Sequence, residues 1–253
     1  MIIDINGIKT YYEISGEGEV ILLLHGWGGN CQTMHPISNI LKDKYKCIIV
    51  DLPGFGETSQ PEYPWNSNDY AIFIQNFLEK LDISTVNLIG HSHGGRISII
   101  LSAKKYIKVQ KIMLIDSAGL IPIRTIKYHL KVKTYKIIKK IFPSIVNGSR
   151  NNSFFMKIFG SKDYQDTTSE LMKKTMVKVV NDNLQDLLPK IESETLLVWG
   201  ESDQDTPLYM AKEMESKIPN AGLVILKDAG HYSYIDDYNT FKRVAESYFK
   251  MGE

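Results

Sequence analysis

The stretch Gly90-His91-Ser92-His93-Gly94-Gly95 decides the fold of this chain of 253 residues. It follows the apolar run 86–89, which is typical of a buried strand, and it precedes residues 96–104, which can continue as a helix. A Gly-x-Ser-x-Gly pattern in that setting predicts a turn so tight that its serine takes a strained backbone conformation. The stretch therefore predicts an exposed Ser92 hydroxyl at the carboxyl end of a central strand, beside a helix N-terminus that favours negative charge.

Short apolar runs alternate with helical patterns along the rest of the chain. The runs predicted as strands are 2–5, 9–14, 20–24, 47–50, 86–89, 111–115, 195–199 and 223–226. The segments predicted as helices are 69–81, 94–105, 208–217 and 240–251. Between the first two strands, Asn6-Gly7 predicts a two-residue hairpin turn. This alternation predicts an α/β fold with a mostly parallel central sheet and helices on both faces.

Residues 119–189 interrupt the alternation, because they show helical periodicity and no convincing strand. We expect them to form a helical cap over the carboxyl ends of the strands, where open α/β sheets bind their ligands. The core would then comprise residues 1–118 and 190–253.

The predicted cap is also basic, because there are ten Lys or Arg and no Asp or Glu between Ser117 and Lys162. This pattern could attract an anionic substrate or an acidic membrane surface. The alternative is a solvated, lysine-rich face of a lid helix, and this is the interpretation that we favour.

Composition restricts the class of protein. The net charge of +1 gives no global attraction to nucleic acid, and no apolar stretch approaches the ~20 residues that a membrane span needs. The amino-terminal residues lack the basic and apolar regions of a signal peptide. Cys31 and Cys47 form neither a metal-type spacing nor a disulfide framework, so we expect buried free thiols. The sequence thus predicts a soluble cytoplasmic protein without cofactor or metal, and it leaves the oligomeric state open.

A serine hydroxyl is a poor nucleophile until a base takes its proton, and the chain offers six histidines for that role. His231 is the predicted base, because it lies in a loop just after the last predicted strand. His91 and His93 flank Ser92, but neighbours on a tight turn point away from one another. His25 is expected to orient a loop, and the other two histidines are interpreted as surface or interface residues.

The base needs an acid that fixes its tautomer, and the loop after the strand at 195–199 offers candidates. Asp203 and Asp205 both qualify on chemistry, and the residues alone leave this choice open with a slight preference for Asp203. Glu201 qualifies less well. Asp116, which follows the preceding strand, is a further candidate on geometry alone.

The tetrahedral intermediate of acyl transfer also needs hydrogen-bond donors for its oxyanion. The backbone N–H of His93, the residue after the nucleophile, is one candidate. The loop 24–29 can supply the second from the N–H of Trp27, because its glycines let the backbone turn toward Ser92. The alternative is that these glycines form only a flexible turn.

Together these motifs resemble the α/β-hydrolase superfamily, in particular its small capped members that act on esters and related acyl compounds. The matching stretches are His25-Gly26-Trp27-Gly28, Asp51-Leu52-Pro53-Gly54-Phe55-Gly56, residues 90–95, Gly200-Glu201-Ser202-Asp203 and Gly230-His231. In that family the acid is the fourth residue of the Gly-x-x-Asp pattern. The resemblance therefore implies a catalytic triad of Ser92, His231 and Asp203.

The resemblance implies an enzyme that hydrolyses small to medium carboxylic esters, through an acyl-enzyme on a small-molecule substrate. The same triad would also serve a carbon–carbon bond or lactone hydrolase, for which Arg96 and Arg124 are candidate partners of a substrate carboxylate. A third function is a ligand-sensing receptor that keeps the fold with a slow or idle triad. Fold alone does not decide among them.

Overall fold

The computed structural model describes residues 1–121, 123, 167 and 169–250. A sheet of eight strands lies at its centre, in the order β1-β2-β4-β3-β5-β6-β7-β8. The strands are β1 (Ile2–Ile5), β2 (Ile8–Ser15), β3 (Glu19–Leu24), β4 (Tyr45–Val50), β5 (Thr85–His91), β6 (Lys108–Ile115), β7 (Glu194–Gly200) and β8 (Ala221–Leu226). Strands β3 to β8 run parallel, whereas β2 pairs antiparallel with both β1 and β4. All eight predicted strands and the predicted α/β fold are confirmed.

Helices connect the parallel strands. In the described ranges they are α1 (Cys31–Leu41), α2 (Ser67–Lys80), α3 (His93–Ala103), α4 (Glu170–Asn181), α5 (Leu208–Lys217), α6 (Ser233–Asp236) and α7 (Tyr238–Tyr248), with a 3-10 helix at Gln185–Lys190. The helices predicted at 69–81, 94–105, 208–217 and 240–251 correspond to α2, α3, α5 and α7, with small shifts at their ends. The sequence did not predict α1.

Two hydrophobic cores cover opposite faces of the sheet, as the unbroken apolar runs predict. In β3, Ile21 and Leu23 belong to the core that contains side chains of α1 and α7. Leu22 and Leu24 belong to the other core, which contains side chains of α2, α3 and α5. Each parallel strand is therefore fixed from both sides, and its carboxyl end offers a rigid support for the loop that follows.

The predicted cap at 119–189 falls largely on residues 122, 124–166 and 168, which lie outside the described residues. In the described part of this range, α4 and the 3-10 helix agree with the helical periodicity. The boundaries of the cap and the role of its basic segment remain predictions. None of the helices in the described part of the chain is both long enough and apolar enough to cross a bilayer.

Two local predictions are confirmed as well. Asn6 and Gly7 have φ values of 51° and 86°, which a two-residue hairpin turn of this kind requires. Cys31 and Cys47 are free and buried. Burial raises the pKa of the Cys47 thiol to about 12, so this thiol stays protonated at neutral pH.

Candidate active site

Ser92 lies at the sharp turn between β5 and α3, and its side chain is half-buried. Its backbone has φ 49° and ψ −109°, a combination that residues other than glycine rarely adopt. The Ser92 N–H donates to the carbonyl of Ile115 at 3.0 Å, and the Ser92 carbonyl accepts from the N–H of Ala118 at 3.0 Å. The end of β6 and the segment that follows it therefore hold the strained turn that the sequence predicts.

His231 comes from the loop after β8 and faces Ser92. Its Nε2 lies 3.0 Å from the Ser92 Oγ, and its Nδ1 lies 2.9 Å from Oδ2 of Asp203, which comes from the loop after β7. An ionised carboxylate only accepts hydrogen bonds, so the Nδ1–H of His231 donates to Asp203 and Nε2 accepts from the serine hydroxyl. The structure thus brings together the three residues predicted as a triad, at the carboxyl edge of the parallel strands.

Asp203 is oriented by a set of hydrogen bonds besides the one from His231. Its Oδ1 accepts from the N–H groups of Asp205 at 2.8 Å and Thr206 at 3.0 Å, and its Oδ2 accepts from the Thr206 hydroxyl at 2.6 Å. Burial acts to raise the pKa of Asp203, but these hydrogen bonds and the charge of His231 outweigh it and lower that pKa. Asp203 is therefore ionised over the whole neutral range.

The pKa of His231 moves in the opposite direction. Burial acts to lower it, but the hydrogen bond to Asp203 and the charge of that carboxylate more than offset burial. The pKa of His231 is consequently raised above its ordinary value of 6.5. The pair is arranged to stabilise an imidazolium, which is what a base must become after it takes a proton from serine.

The other three candidate acids occupy different positions. Asp116 is buried, accepts three hydrogen bonds from Gly200 at the end of β7 and from Ser233 at the start of α6, and has its pKa raised to about 7 by burial. Glu201 is exposed and accepts from a backbone N–H at 3.3 Å. Asp205 is exposed beside the pair, and its N–H donates to Asp203. Of the four carboxylates, Asp203 is the one hydrogen-bonded to His231.

Neither His91 nor His93 is hydrogen-bonded to the Ser92 hydroxyl in the described residues. The Nε2–H of His91 donates to the carbonyl of His231 at 2.8 Å, and burial lowers the pKa of His91 to about 3. His93 packs edge-on against Trp27, with ring centroids 5.6 Å apart, and burial holds its pKa well below the ordinary value. Both side chains therefore act as neutral groups.

The loop that follows β3 lies beside Ser92. His25 holds this loop, because its Nδ1–H donates to the carbonyl of Gly26 at 2.7 Å. A Cβ placed on Gly26 would lie 3.2 Å from the Ser92 Cβ, which shows how closely the two backbones approach. Within the described ranges, the backbone N–H groups of Trp27 and His93 donate to no protein acceptor. In the described ranges, both N–H groups predicted to bind the oxyanion thus have no other acceptor.

A cavity of about 640 Å³ opens next to Ser92 and His231. Its described lining comprises Gly26, Trp27, Gly28, Gly54, Phe55, Gln60, His91, Ser92, Thr167, Ser169, Met172, Asp205, His231 and Tyr232. A cavity of this size is within the range that binds small organic molecules. Another cavity, of about 450 Å³, lies at the amino ends of β6 and β7 and shares none of these residues.

Arg96, one of the two arginines proposed as carboxylate partners, is not among the described residues that line the cavity. Arg96 is buried, and its Nη1 donates to the carbonyl of Asp182 at 2.6 Å. Arg124 lies outside the described residues. Among the described lining residues there is one carboxylate that faces the cavity edge, Asp205, and no lysine or arginine.

Comparisons with known proteins decide the family. Residues 19–134 match a family model described as alpha/beta hydrolase fold, and residues 167–253 match one described as TAP-like protein. The chain belongs to the α/β-hydrolase superfamily. It is accordingly a hydrolase, and its parallel sheet and connecting helices are those of the fold that gives this superfamily its name.

Similar proteins differ in their substrates. Lipase 1 of Psychrobacter immobilis is 28% identical, covering 96% of this chain and 83% of the lipase. The 2-hydroxy-6-oxononadienedioate/2-hydroxy-6-oxononatrienedioate hydrolase of Escherichia coli is 24% identical, covering 94% of this chain and 89% of that enzyme. The structure of the enol-lactonase from Burkholderia xenovorans LB400 has a TM-score of 0.75 at 19% identity, covering 99% of this chain and 100% of that one. These likenesses agree with the family that the two models match, and they leave the substrate of this hydrolase open.

Asp203, Asp205 and His231 also fit the donor types of a metal site, because one ligand atom from each lies within 4.8 Å of the others. In this hydrolase, however, His231 Nδ1 and Asp203 Oδ2 are joined by a hydrogen bond, and His231 Nε2 faces the Ser92 hydroxyl. The hydrogen-bond chain that ends at Ser92 therefore explains why Asp203 and His231 lie together. It does not involve the carboxylate of Asp205.

Sequence reasoning missed several residues of this site. Thr206 holds Asp203, and its position three residues after the acid is a local signal that could have revealed it. Tyr232 lines the cavity as the immediate neighbour of the predicted base. Gln60 and Met172 reach the cavity from segments far apart in the chain, and no local pattern marks them.

Proposed function

We propose that this hydrolase cleaves small to medium carboxylic esters through an acyl-enzyme formed on Ser92. The observation that carries the proposal is the continuous hydrogen-bond chain from Ser92 through His231 to Asp203, at the wall of a cavity of about 640 Å³. The directions of the pKa shifts support it, because they give an ionised acid next to a histidine that readily holds a proton.

In the first half of the reaction, the Ser92 Oγ attacks the ester carbonyl carbon while His231 Nε2 takes the hydroxyl proton. The carbonyl oxygen becomes an oxyanion, which the N–H groups of Trp27 and His93 are positioned to bind. The imidazolium, stabilised by Asp203, then gives its proton to the alkoxy oxygen as the bond from that oxygen to the acyl carbon breaks. The alcohol leaves, and the acyl group stays on Ser92.

In the second half, water takes the place of the alcohol. His231 removes a proton from the water as its oxygen attacks the acyl carbon, and a second oxyanion forms in the same place. When this intermediate collapses, the bond from the acyl carbon to the Ser92 Oγ breaks, and His231 returns its proton to the serine. The carboxylic acid is released, and the site is restored.

The described lining favours an ester over a substrate with its own carboxylate. Recognition of a carboxylate calls for a cationic or strongly donating partner. Arg96 is engaged with the carbonyl of Asp182 outside the cavity lining, and the charged group at the cavity edge is the carboxylate of Asp205.

We further propose a cytoplasmic location for the enzyme, on the basis of two cysteines that are free and buried.

The proposal is tested by hydrolysis of p-nitrophenyl esters from acetate to long acyl chains, with the wild-type protein and Ser92→Ala. We expect turnover with an optimum acyl length, and a kcat/KM for Ser92→Ala that is lower by roughly 10⁴-fold or more. Ser216→Ala is the matched control, because Ser216 is an exposed serine of α5 whose hydroxyl donates to the backbone carbonyl of Glu213, and the kcat/KM of this variant should equal that of the wild type.

Hydrolysis that persists in purified Ser92→Ala would show that the serine is not the nucleophile and that the proposal is wrong. Ser92-dependent cleavage of a lactone or of a ring-fission dienoate, with no ester turnover, would replace the ester by one of those substrates. Tight ligand binding without turnover on any substrate would favour the receptor.

A further inference from the structure

Asp205 is a carboxylate at the cavity that the proposed mechanism does not use. It lines the same cavity as Ser92 and His231, and its side chain is exposed to solvent there. One of its carboxylate oxygens lies within 4.8 Å of both a ring nitrogen of His231 and a carboxylate oxygen of Asp203. A carboxylate therefore lies at the wall of the cavity in which an ester must bind to react.

The position of Asp205 is fixed by the acid of the triad. The Asp205 N–H donates to Oδ1 of Asp203 at 2.8 Å, and the next residue, Thr206, donates to the same carboxylate through both its N–H and its hydroxyl. An aspartate side chain has only two rotatable bonds, so its charge cannot move far from a backbone held in this way. The Asp205 carboxylate therefore stays at this edge of the cavity.

No opposite charge in the described lining offsets Asp205. Among the described residues, the titratable groups with an atom within 4.8 Å of its carboxylate include Asp203, which is buried and hydrogen-bonded to His231, and His231 itself, which is neutral when it is ready to act as a base. The described lining contains no lysine or arginine. Within the described lining, the fixed charge at this edge of the cavity is therefore negative.

We propose that Asp205 selects substrates by charge, so that the site accepts uncharged and cationic esters and disfavours anionic ones. An anionic group on the substrate would be repelled by the Asp205 carboxylate, and a cationic group would be attracted, whereas a neutral group of the same shape would feel neither effect. This inference rests on the proposed ester hydrolysis and adds a substrate class to it.

The test uses two series of esters that differ in charge and little in shape. With the charge on the alcohol, the series is butyrylcholine, 3,3-dimethylbutyl butyrate and 2-sulfoethyl butyrate. With the charge on the acyl group, it is the ethyl esters of 4-(trimethylammonio)butanoate and of 5,5-dimethylhexanoate, and monoethyl glutarate. Titration of the released acid gives kcat/KM for each ester, and the readout is the ratio of each charged ester to its neutral counterpart.

Asp205→Asn keeps the size of the side chain and removes its charge. We expect the anionic-to-neutral ratio to rise by about three- to tenfold in at least one series, and the cationic-to-neutral ratio to fall by a similar factor. Asp205→Glu keeps the charge and should keep the wild-type order of the three esters. Asp43→Asn removes an exposed carboxylate that is not part of the cavity lining, and it should leave every ratio as in the wild type.

Salt gives a second measurement on the unmodified protein. Raising NaCl from about 0.05 M to about 1 M should reduce the charge preference of the wild type, because screening weakens the interaction. The same change should have little effect on the ratios of Asp205→Asn.

The outcomes separate this inference from the proposed function. Unchanged ratios in both series for Asp205→Asn, with Ser92-dependent hydrolysis intact, would overturn the inference alone. An equal loss of kcat/KM for all three charge types would also overturn it, because Asp205 would then act on the triad and not on the substrate. Absence of ester hydrolysis by the wild type, or its persistence in Ser92→Ala, would overturn the proposed function and this inference with it.

Discussion

Oδ2 of Asp203 accepts hydrogen bonds from both the Nδ1–H of His231 and the hydroxyl of Thr206, at 2.9 and 2.6 Å. The carboxylate thereby fixes the tautomer of His231, because an acceptor at Nδ1 forces the ring proton to that nitrogen. It also supplies the charge that stabilises the imidazolium. Orientation and charge come from the same side chain, and a substitution can remove the charge while leaving the size unchanged.

Asp203→Asn removes the charge of the carboxylate and keeps the size of the side chain. The asparagine amide can donate to Nδ1 and so favour the tautomer with its proton on Nε2, which cannot accept from the Ser92 hydroxyl. We expect kcat/KM to fall by about 10³- to 10⁴-fold, less than for Ser92→Ala, with the p-nitrophenyl ester of optimum length as substrate.

The pH profile of the same variant gives a second readout. In the wild type the base must be neutral, so kcat/KM should fall as pH decreases through a pKa of His231 that lies above 6.5. Loss of the Asp203 charge removes the main cause of that raised pKa, so the acid limb of the residual activity should move to lower pH. An acid limb at the wild-type position would show that the raised pKa of His231 does not come from Asp203.

At the scale of elements, the close contact between β3 and α3 explains why the turn after Ser92 needs a glycine. A Cβ added to Gly94 would collide with the backbone carbonyl of Leu24 in the last position of β3. Backbone atoms in the centre of a sheet cannot move aside, and every residue of α3 is buried, so the helix cannot withdraw either.

Gly94→Ala should therefore destabilise the protein and reduce ester hydrolysis together. We expect the free energy of unfolding to fall by about 1–3 kcal/mol, as for other overpacked cores, measured by urea denaturation. The control is Gly222→Ala in β8, where an added Cβ would meet nothing closer than 4.0 Å. That variant should be as stable as the wild type or slightly more stable. Equal stability of the two variants would contradict the steric explanation.

The strands and helices of this fold were predictable where their buried side chains form a regular apolar pattern in the sequence. The parallel strands carry apolar side chains on both faces, so their runs stand out from the sequence. Helix α1 was not predictable in the same way, although Met34, Ile37 and Leu41 on its buried side follow helical spacing. Pro36 lies inside α1, and proline is typical of a helix end and not of a helix interior. Packing of α1 against the sheet overrides that local signal.

At the scale of the whole molecule, the site is assembled from loops that follow different strands. Ser92 and His231 are 139 residues apart in the chain, and local spacing alone does not bring them together. The Gly-x-x-Asp pattern shared with α/β-hydrolases made the choice of Asp203 possible where the residues alone left Asp205 as an alternative. Gln60 and Met172 could not be predicted, because their place in the cavity depends on how distant segments pack.

The buried histidines also tie the stability of the whole molecule to pH. Burial lowers the pKa of His25, His91 and His93 below the ordinary 6.5. Below about pH 6.5 the unfolded chain binds more protons at these histidines than the native protein does, so the free energy of unfolding decreases as pH falls. Each such histidine adds a slope of up to about 1.4 kcal/mol per pH unit. Asp116 acts in the opposite sense, because its raised pKa of about 7 favours the native state at lower pH.

His93→Met isolates one of these contributions. In the described part of the chain neither ring nitrogen of His93 has a hydrogen-bond partner, so an unbranched apolar side chain can replace the ring without leaving a polar group unpaired. At pH 8 His93 is neutral in both the native and the unfolded wild-type protein. Urea denaturation at that pH therefore measures the effect of the packing change alone. As pH falls from about 6.5 to about 4.5, the free energy of unfolding of the variant should rise relative to that of the wild type by up to about 1.4 kcal/mol per pH unit. A difference that stays constant with pH would mean that His93 takes up its proton equally in the native and unfolded states.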